Sequence, residues 1–309
     1  MAENGASYAF AMGSRSWRRS FFGLFALLFM ASLVTTSLPS AQAAVVAFPG
    51  ARPFNLYVPT SYTPGTPEPL VIALHGFGQS GTAFEQYLKI TPLAQSRGFL
   101  YVAPNGTADP HGVRFWNATP ECCDFQSPKV NDDAYLVGLI NQISAQYTVD
   151  PARIYLVGHS NGGFMVNELA CAHSDLFAAV VNIAGGNFGK MTQCKPSHPI
   201  TYLQLWGTKD ETYKENHIMG KYIAGAMANI SFWAKRNGCS ASIKSPAALD
   251  LDKKVSGNET DTYDYQNCAS GVDVQFWKMN GVDHVPNISA TFSASIIDFL
   301  LAHKNVNAL

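Results

Sequence analysis

Charge is scarce in this sequence. Asp, Glu, Lys and Arg make up 14% of 309 residues, and 21 basic side chains nearly cancel 22 acidic ones to leave a net charge of −1. No basic stripe exists to neutralise a phosphate backbone, so no nucleic-acid partner is expected. C-x-x-C and H-x-x-x-H spacings are missing, so no metal site is expected. The G-x-x-x-x-G-K-[ST] phosphate loop is missing as well. No Pro- or Ser-rich linker, internal repeat or low-complexity tract divides the chain after its amino-terminal segment. The apolar run Phe21–Val34 falls short of the roughly 20 residues that span a bilayer. What is plentiful is apolar matter: 47% hydrophobic and 12% aromatic residues exclude a disordered or collagen-like chain.

The amino terminus reads as an address. Arg15, Arg18 and Arg19 precede the apolar run, and Ser37, Pro39 and Ala41-Gln42-Ala43 follow it. A basic segment, a short apolar segment and an A-x-A site form a secretory signal peptide, here residues 1–43, with cleavage expected after Ala43. Arg18-Arg19-Ser20-Phe21-Phe22 also resembles a twin-arginine export signal, with Trp17 and Gly23 departing from its usual flanks. Cleavage would take three Arg and one Glu with it, leaving residues 44–309 with a net charge of −3. That length suits a single α/β domain with a substantial core. A secreted or periplasmic protein, off the membrane once processed, is the expectation.

All six cysteines follow residue 43: Cys122, Cys123, Cys171, Cys194, Cys239 and Cys268. An even count in an exported chain predicts disulfides, and six cysteines allow 15 pairings. Neighbouring cysteines fit usual disulfide geometry poorly, so Cys122 and Cys123 are each expected to bond a distant partner.

Short, nearly continuous apolar runs rich in β-branched and aromatic residues predict strands buried on both faces. They are Phe54–Val58, Leu70–Leu74, Leu100–Ala103, Ile154–Val157, Ala178–Ile183, Thr201–Leu205 and Val272–Lys278. Helical patterns fall between them, at Asp132–Tyr147, Phe164–Ala172, Ile223–Lys235 and Phe292–Leu301. This alternation predicts an α/β fold with a mostly parallel central sheet flanked by helices.

The strongest local signal is Gly158-His159-Ser160-Asn161-Gly162-Gly163, set between an expected strand and an expected helix. G-x-S-x-G in that setting is a nucleophile elbow, which holds the Ser160 hydroxyl above the sheet on a tight, strained turn. The simpler alternative is a Ser that only caps its helix. A Ser hydroxyl needs a base to take its proton, and in this fold the chain order runs Ser, then Asp or Glu, then His. His284 alone combines that order with a loop following the last strand. Asp210, just past Thr201–Leu205, can accept a hydrogen bond from the His284 ring and fix its tautomer. Glu211 and Asp283 are its rivals. The turn Leu74-His75-Gly76-Phe77-Gly78-Gln79 follows an expected strand, so the backbone N–H of Phe77 and that of Asn161 are expected to form an oxyanion hole.

With these residues in view, the chain resembles the secreted polyhydroxybutyrate depolymerase-like esterases, which are close to the feruloyl and acetylxylan esterases of carbohydrate esterase family 1. The resemblance runs from about Arg52 to about His303. It rests on Leu74-His75-Gly76 with Gln79, Trp116-Asn117, Cys122-Cys123, Asn131-Asp132-Asp133, Val149 to Tyr155, Gly158 to Gly163, Leu169-Ala170-Cys171, Gly207 to Asp210, and the His284 loop. Departures fall at Phe77, often Cys in the family; at Trp206, often His; and in the His284 loop, which lacks a family Trp. The resemblance implies an α/β-hydrolase fold, hydrolysis of carboxylic esters, no cofactor, and Ser160, Asp210 and His284 as the catalytic triad. It also implies a Cys239–Cys268 disulfide. The expected substrates are hydroxyalkanoate oligomers or polyester, or feruloyl and acetyl esters of plant polysaccharide. The alternatives are a non-catalytic secreted binding module on a hydrolase scaffold and a serine peptidase.

Overall fold

The computed structural model describes residues 42–125, 129–212, 217–218, 221–222, 225–245, 248–269 and 271–308. Of the expected export signal, only residues 42 and 43 fall among them, as the start of the expected helix at Ile223 does not.

Among the described residues the centre is a sheet of ten strands: β1 (Ala44–Phe48), β2 (Phe54–Val58), β3 (Glu68–Leu74), β4 (Leu100–Val102), β5 (Val149–His159), β6 (Ala179–Ile183), β7 (Thr201–Gly207), β8 (Ala241–Lys244), β9 (Thr260–Gln266) and β10 (Val274–Met279). Their spatial order is β1-β2-β4-β3-β5-β6-β7-β10-β9-β8. The inner strands β4, β3, β5, β6, β7 and β10 run parallel. The outer strands are antiparallel.

Among the described residues six α-helices accompany the sheet: α1 (Gly81–Leu88), α2 (Ile90–Arg97), α3 (Asp132–Ser144), α4 (Asn161–Ala172), α5 (Ala226–Arg236) and α6 (Phe292–Leu301). Alternate residues of each central strand enter opposite cores. Leu70, Ile72 and Leu74 of β3 pack with α3, α4 and α5 through Leu136, Met165 and Trp233. Val71 and Ala73 pack with α1, α2 and α6 through Phe84, Ala94 and Ile296. Burial on both faces is what makes these strands read as unbroken apolar runs, and it yields the expected α/β architecture of helices on both sides of a mostly parallel sheet.

The order β4-β3-β5 means that the chain leaves β3 in one direction and returns on its other side. Such a reversal opens a crevice beyond the carboxyl ends of the strands, the usual ligand position in open α/β sheets. The loops after β3, β5, β7 and β10 all emerge at that edge.

Candidate active site

The turn from β5 into α4 is shaped by contacts that leave no room for side chains. A Cβ on Gly158 would collide with the Gly162 carbonyl, and a Cβ on Gly162 would run into the Leu74 and His75 carbonyl oxygens. Ser160 sits between them with φ 55° and ψ −117°, in the region that favours glycine. Its N–H is held by the Ile183 carbonyl at 2.9 Å. Its side chain makes no helix-capping hydrogen bond, so the simple cap does not describe it.

The Ser160 Oγ–H donates to His284 Nε2 at 2.8 Å, and His284 Nδ1–H donates to Asp210 Oδ2 at 2.7 Å. The Asp210 side chain is shut off from solvent, whereas that of His284 is 13% exposed. Of the three acid candidates, the fold brings Asp210 to the ring; Glu211 and Asp283 are exposed. Two backbone bonds tie the Asp210 loop to the His284 loop: Thr208 N–H to Met279 O and Lys209 N–H to Val282 O, both 2.9 Å.

The turn after β3 faces the elbow. A Cβ built on Gly76 would lie 3.5 Å from Ser160 Cβ. Asn161 opens α4, where N–H groups lack intrahelical partners. The Phe77 ring is 42% exposed and packs edge-on against Phe125 with centroids 5.2 Å apart.

Two histidines that the Ser–acid–His order sets aside also belong to this edge. His75 is fully buried; its Nδ1–H donates to Gly76 O at 2.8 Å, and Nε2 accepts from Gly106 N–H at 2.8 Å. His159 is nearly as buried, and its Nε2–H donates to His284 O at 2.9 Å. Burial pushes both rings down to about 4. The position of His159 beside Ser160 was the only sequence sign of its place here.

The cysteine expectation needs correcting. Cys122 and Cys123 bond each other, while Cys171 pairs with Cys194 and Cys239 with Cys268. The expectation rested on usual disulfide geometry. The peptide link is cis, and the two Cα atoms lie 3.1 Å apart, where a trans peptide holds them about 3.8 Å apart. This neighbour pair packs against Phe164 and Trp206, and the Asn161 amide reaches Cys122 Sγ at 3.8 Å. Among the described residues, no group of three or more His, Cys, Asp or Glu side chains could hold a metal ion.

Residues 53–197 match the family described as Esterase PHB depolymerase. Feruloyl esterase B of Piromyces equi is 30% identical over 236 residues, 73% of this chain and 41% of that protein. Poly(3-hydroxyalkanoate) depolymerase C of Paucimonas lemoignei is 26% identical over 278 residues, 86% of this chain and 59% of that protein. The chain thus spans less than two thirds of either relative. In three dimensions it is similar to an acetyl xylan esterase from Aspergillus awamori, with a TM-score of 0.59 at 14% identity, covering 84% of this chain and 98% of the other. The fold is the α/β-hydrolase fold, and the residues that match the esterase PHB depolymerase family take in β2 to β6, with the elbow and the Phe77 turn. Asp210 and His284 lie beyond the matched end.

Proposed function

We propose that the protein is a secreted serine esterase that hydrolyses carboxylic esters through an acyl-enzyme. The observation that carries this reading is the unbroken hydrogen-bonded chain from Asp210 through His284 to Ser160, laid along one edge of the sheet. Ser160 Oγ attacks the ester carbonyl carbon while His284 Nε2 takes its proton. Asp210 holds the ring in the Nδ1–H tautomer and stabilises the imidazolium that forms. The carbonyl oxygen, now negative, is held by the Phe77 and Asn161 backbone N–H groups, each worth about 3 kcal/mol of transition-state stabilisation. His284 returns the proton to the leaving alcohol. It then activates a water that releases the acid and regenerates Ser160.

The substrates are hydroxyalkanoate esters or feruloyl and acetyl esters of polysaccharide, the chemistries in the relatives' names. Export rests on the signal at residues 1–43, and the three disulfides fit an oxidising compartment. Among the described residues, no helix is long and apolar enough to cross a membrane.

The test is hydrolysis of a short p-nitrophenyl ester, followed by hydroxybutyrate-oligomer, feruloyl and acetyl-xylan substrates. Ser160→Ala should abolish turnover and labelling by a fluorophosphonate while keeping the native melting temperature. A folded Ser160→Ala protein with native turnover overturns the assignment.

A further inference from the structure

His159 joins three parts of the site that come from distant stretches of chain. It immediately precedes Ser160, its Nε2–H donates to the backbone carbonyl of His284 at 2.9 Å, and a Cβ on Gly76 would sit 3.2 Å from its Nδ1. The ring is 3% exposed. It is enclosed by Phe84 and Tyr87, with centroids 6.5 and 6.4 Å away, and faces the His284 ring at 5.1 Å. Tyr87 O–H reinforces the same loop by donating to Pro286 O at 2.8 Å.

These contacts define the ring's state. A carbonyl oxygen only accepts, so the bonded nitrogen must carry a proton. Burial first, and the neighbouring His284 second, push His159 down to about 4, so the ring is neutral at pH 7 and its single proton sits on Nε2. The hold on residue 284 is therefore a neutral N–H···O bond in a dry site, with the ring fixed by packing on its flanks. A backbone pinned at His284 leaves its side chain few ways to turn away from Ser160 Oγ.

We propose that His159 is a positioning residue: by holding the carbonyl of residue 284 it keeps the His284 ring aimed at the Ser160 hydroxyl. The proposal rests on the esterase reading of Ser160 and His284. It assigns His159 no contact with substrate and no part in proton transfer. It accounts for a buried imidazole where an apolar side chain of similar size would fill the same space. Misplacing a catalytic group by about 1 Å can cost on the order of a hundredfold in rate, so the hold should register in turnover more than in binding.

Three variants test this on the full chain. His159→Phe fills the space without a donor. His159→Gln supplies an N–H that can reach the carbonyl. His159→Asn carries the same amide one methylene short. With a p-nitrophenyl ester, the Phe and Asn variants should lose about tenfold to a hundredfold in kcat with KM changed less than about threefold, and Gln should recover most of the loss. The His284 Nδ1 proton, followed by NMR, gives a readout that needs no turnover. It should be sharp in the native and Gln proteins and broadened by exchange in the Phe and Asn proteins. Folded Phe or Asn variants with native kcat and a native Nδ1 signal overturn the proposal, as does a Gln variant no better than Asn. If Phe does not fold, the Gln–Asn comparison makes the same distinction. A native protein that hydrolyses no ester removes the esterase reading, and the ring-proton comparison then decides the positioning role by itself.

Discussion

The Asn161 side chain holds Trp116 by both of its backbone groups, accepting from its N–H at 2.7 Å and donating to its C=O at 2.8 Å. Trp116 passes the connection on, its indole N–H donating to His75 O at 3.0 Å. One side chain in the elbow thus fastens the segment leading to the Cys122–Cys123 pair, and through it the turn that carries Phe77. Asn161→Ala leaves two buried backbone groups at Trp116 unpaired, at about 1–3 kcal/mol each. We expect its melting temperature to fall by roughly 4–24 °C, given about 2–4 °C per kcal/mol for a domain of this size. Turnover should fall as well, although the backbone N–H of residue 161 is retained. Calorimetry with ester kinetics checks both, and native values for both would show that the clamp contributes nothing.

Glycine substitution should separate close approach from mere flexibility. Gly158→Ala and Gly162→Ala each drive a methyl into a backbone carbonyl that cannot move without shifting a central strand or α4. Overpacking of this kind costs about 1–3 kcal/mol or more, and the shift falls on Ser160. Gly138, inside α3, has nothing within 4 Å of an added Cβ. Gly138→Ala should therefore stabilise by about 0.5–1 kcal/mol through helix propensity, with activity unchanged. Urea unfolding of the three variants gives the comparison.

What the sequence disclosed, and what it hid, divides along burial. Strands covered on both faces, such as Leu70–Leu74 and Thr201–Leu205, are legible as apolar runs because each residue in them meets a core. The outer strand β8, Ala241–Lys244, is exposed at every position, so no apolar pattern betrays it. β9, Thr260–Gln266, was missed likewise, with three Thr and Asp residues ahead of its first Tyr. Helices α1 and α2 escaped because each has only eight residues and the break between them is made by Lys89 at φ 53°, not by a glycine or proline. Ser80, whose side chain accepts from Ala83 N–H, was the available cue for the start of α1. In the site, chain order and loop position pointed to Ser160 and His284 and left Asp210 with two rivals, and the hydrogen bond to the His284 ring falls to Asp210. Backbone donors carry no such mark, and neither does a side chain that acts on a neighbouring loop's carbonyl, as His159 does.

Acid should weaken the fold through the buried imidazoles of His75 and His159. His75 and His159 are both pushed from 6.5 to about 4, chiefly by burial. Below about 6.5 the unfolded chain takes up protons that the folded chain refuses. Their contribution is therefore present above pH 6.5 and lost as pH falls toward 4. Each amounts to about 3 kcal/mol as an order of magnitude. The slope of unfolding free energy against pH between 6.5 and 4 should be shallower in His159→Gln than in the native protein. Equal slopes would mean that His159 titrates alike in both states.

Glu168 works in the opposite sense. On α4 its carboxyl is pushed from 4.5 up to about 7, first by burial and then by the Asp133 carboxylate, with His173 partly offsetting both. His173 is already engaged, its Nε2 lying 2.8 Å from Asp133 Oδ1, and Glu168 Oε2 is buried with no hydrogen-bond partner among the described residues. A carboxyl raised in the folded state contributes fully below its unfolded value of 4.5, and that contribution is lost as pH climbs through 7. At pH 8 the folded protein holds the charged form where it is disfavoured. The raised value corresponds to about 3 kcal/mol, which partial exposure reduces to about 1–2. Glu168→Gln removes the charge and keeps the size, so it should raise the melting temperature by roughly 2–8 °C at pH 8. At pH 5, where the carboxyl is protonated in the folded protein, the two proteins should melt within about 2 °C of each other. Calorimetry at the two pH values decides the matter. A rise of equal size at both would trace the gain to hydrogen bonds of the new amide, whereas a rise confined to pH 8 marks the cost of ionising Glu168 beside Asp133.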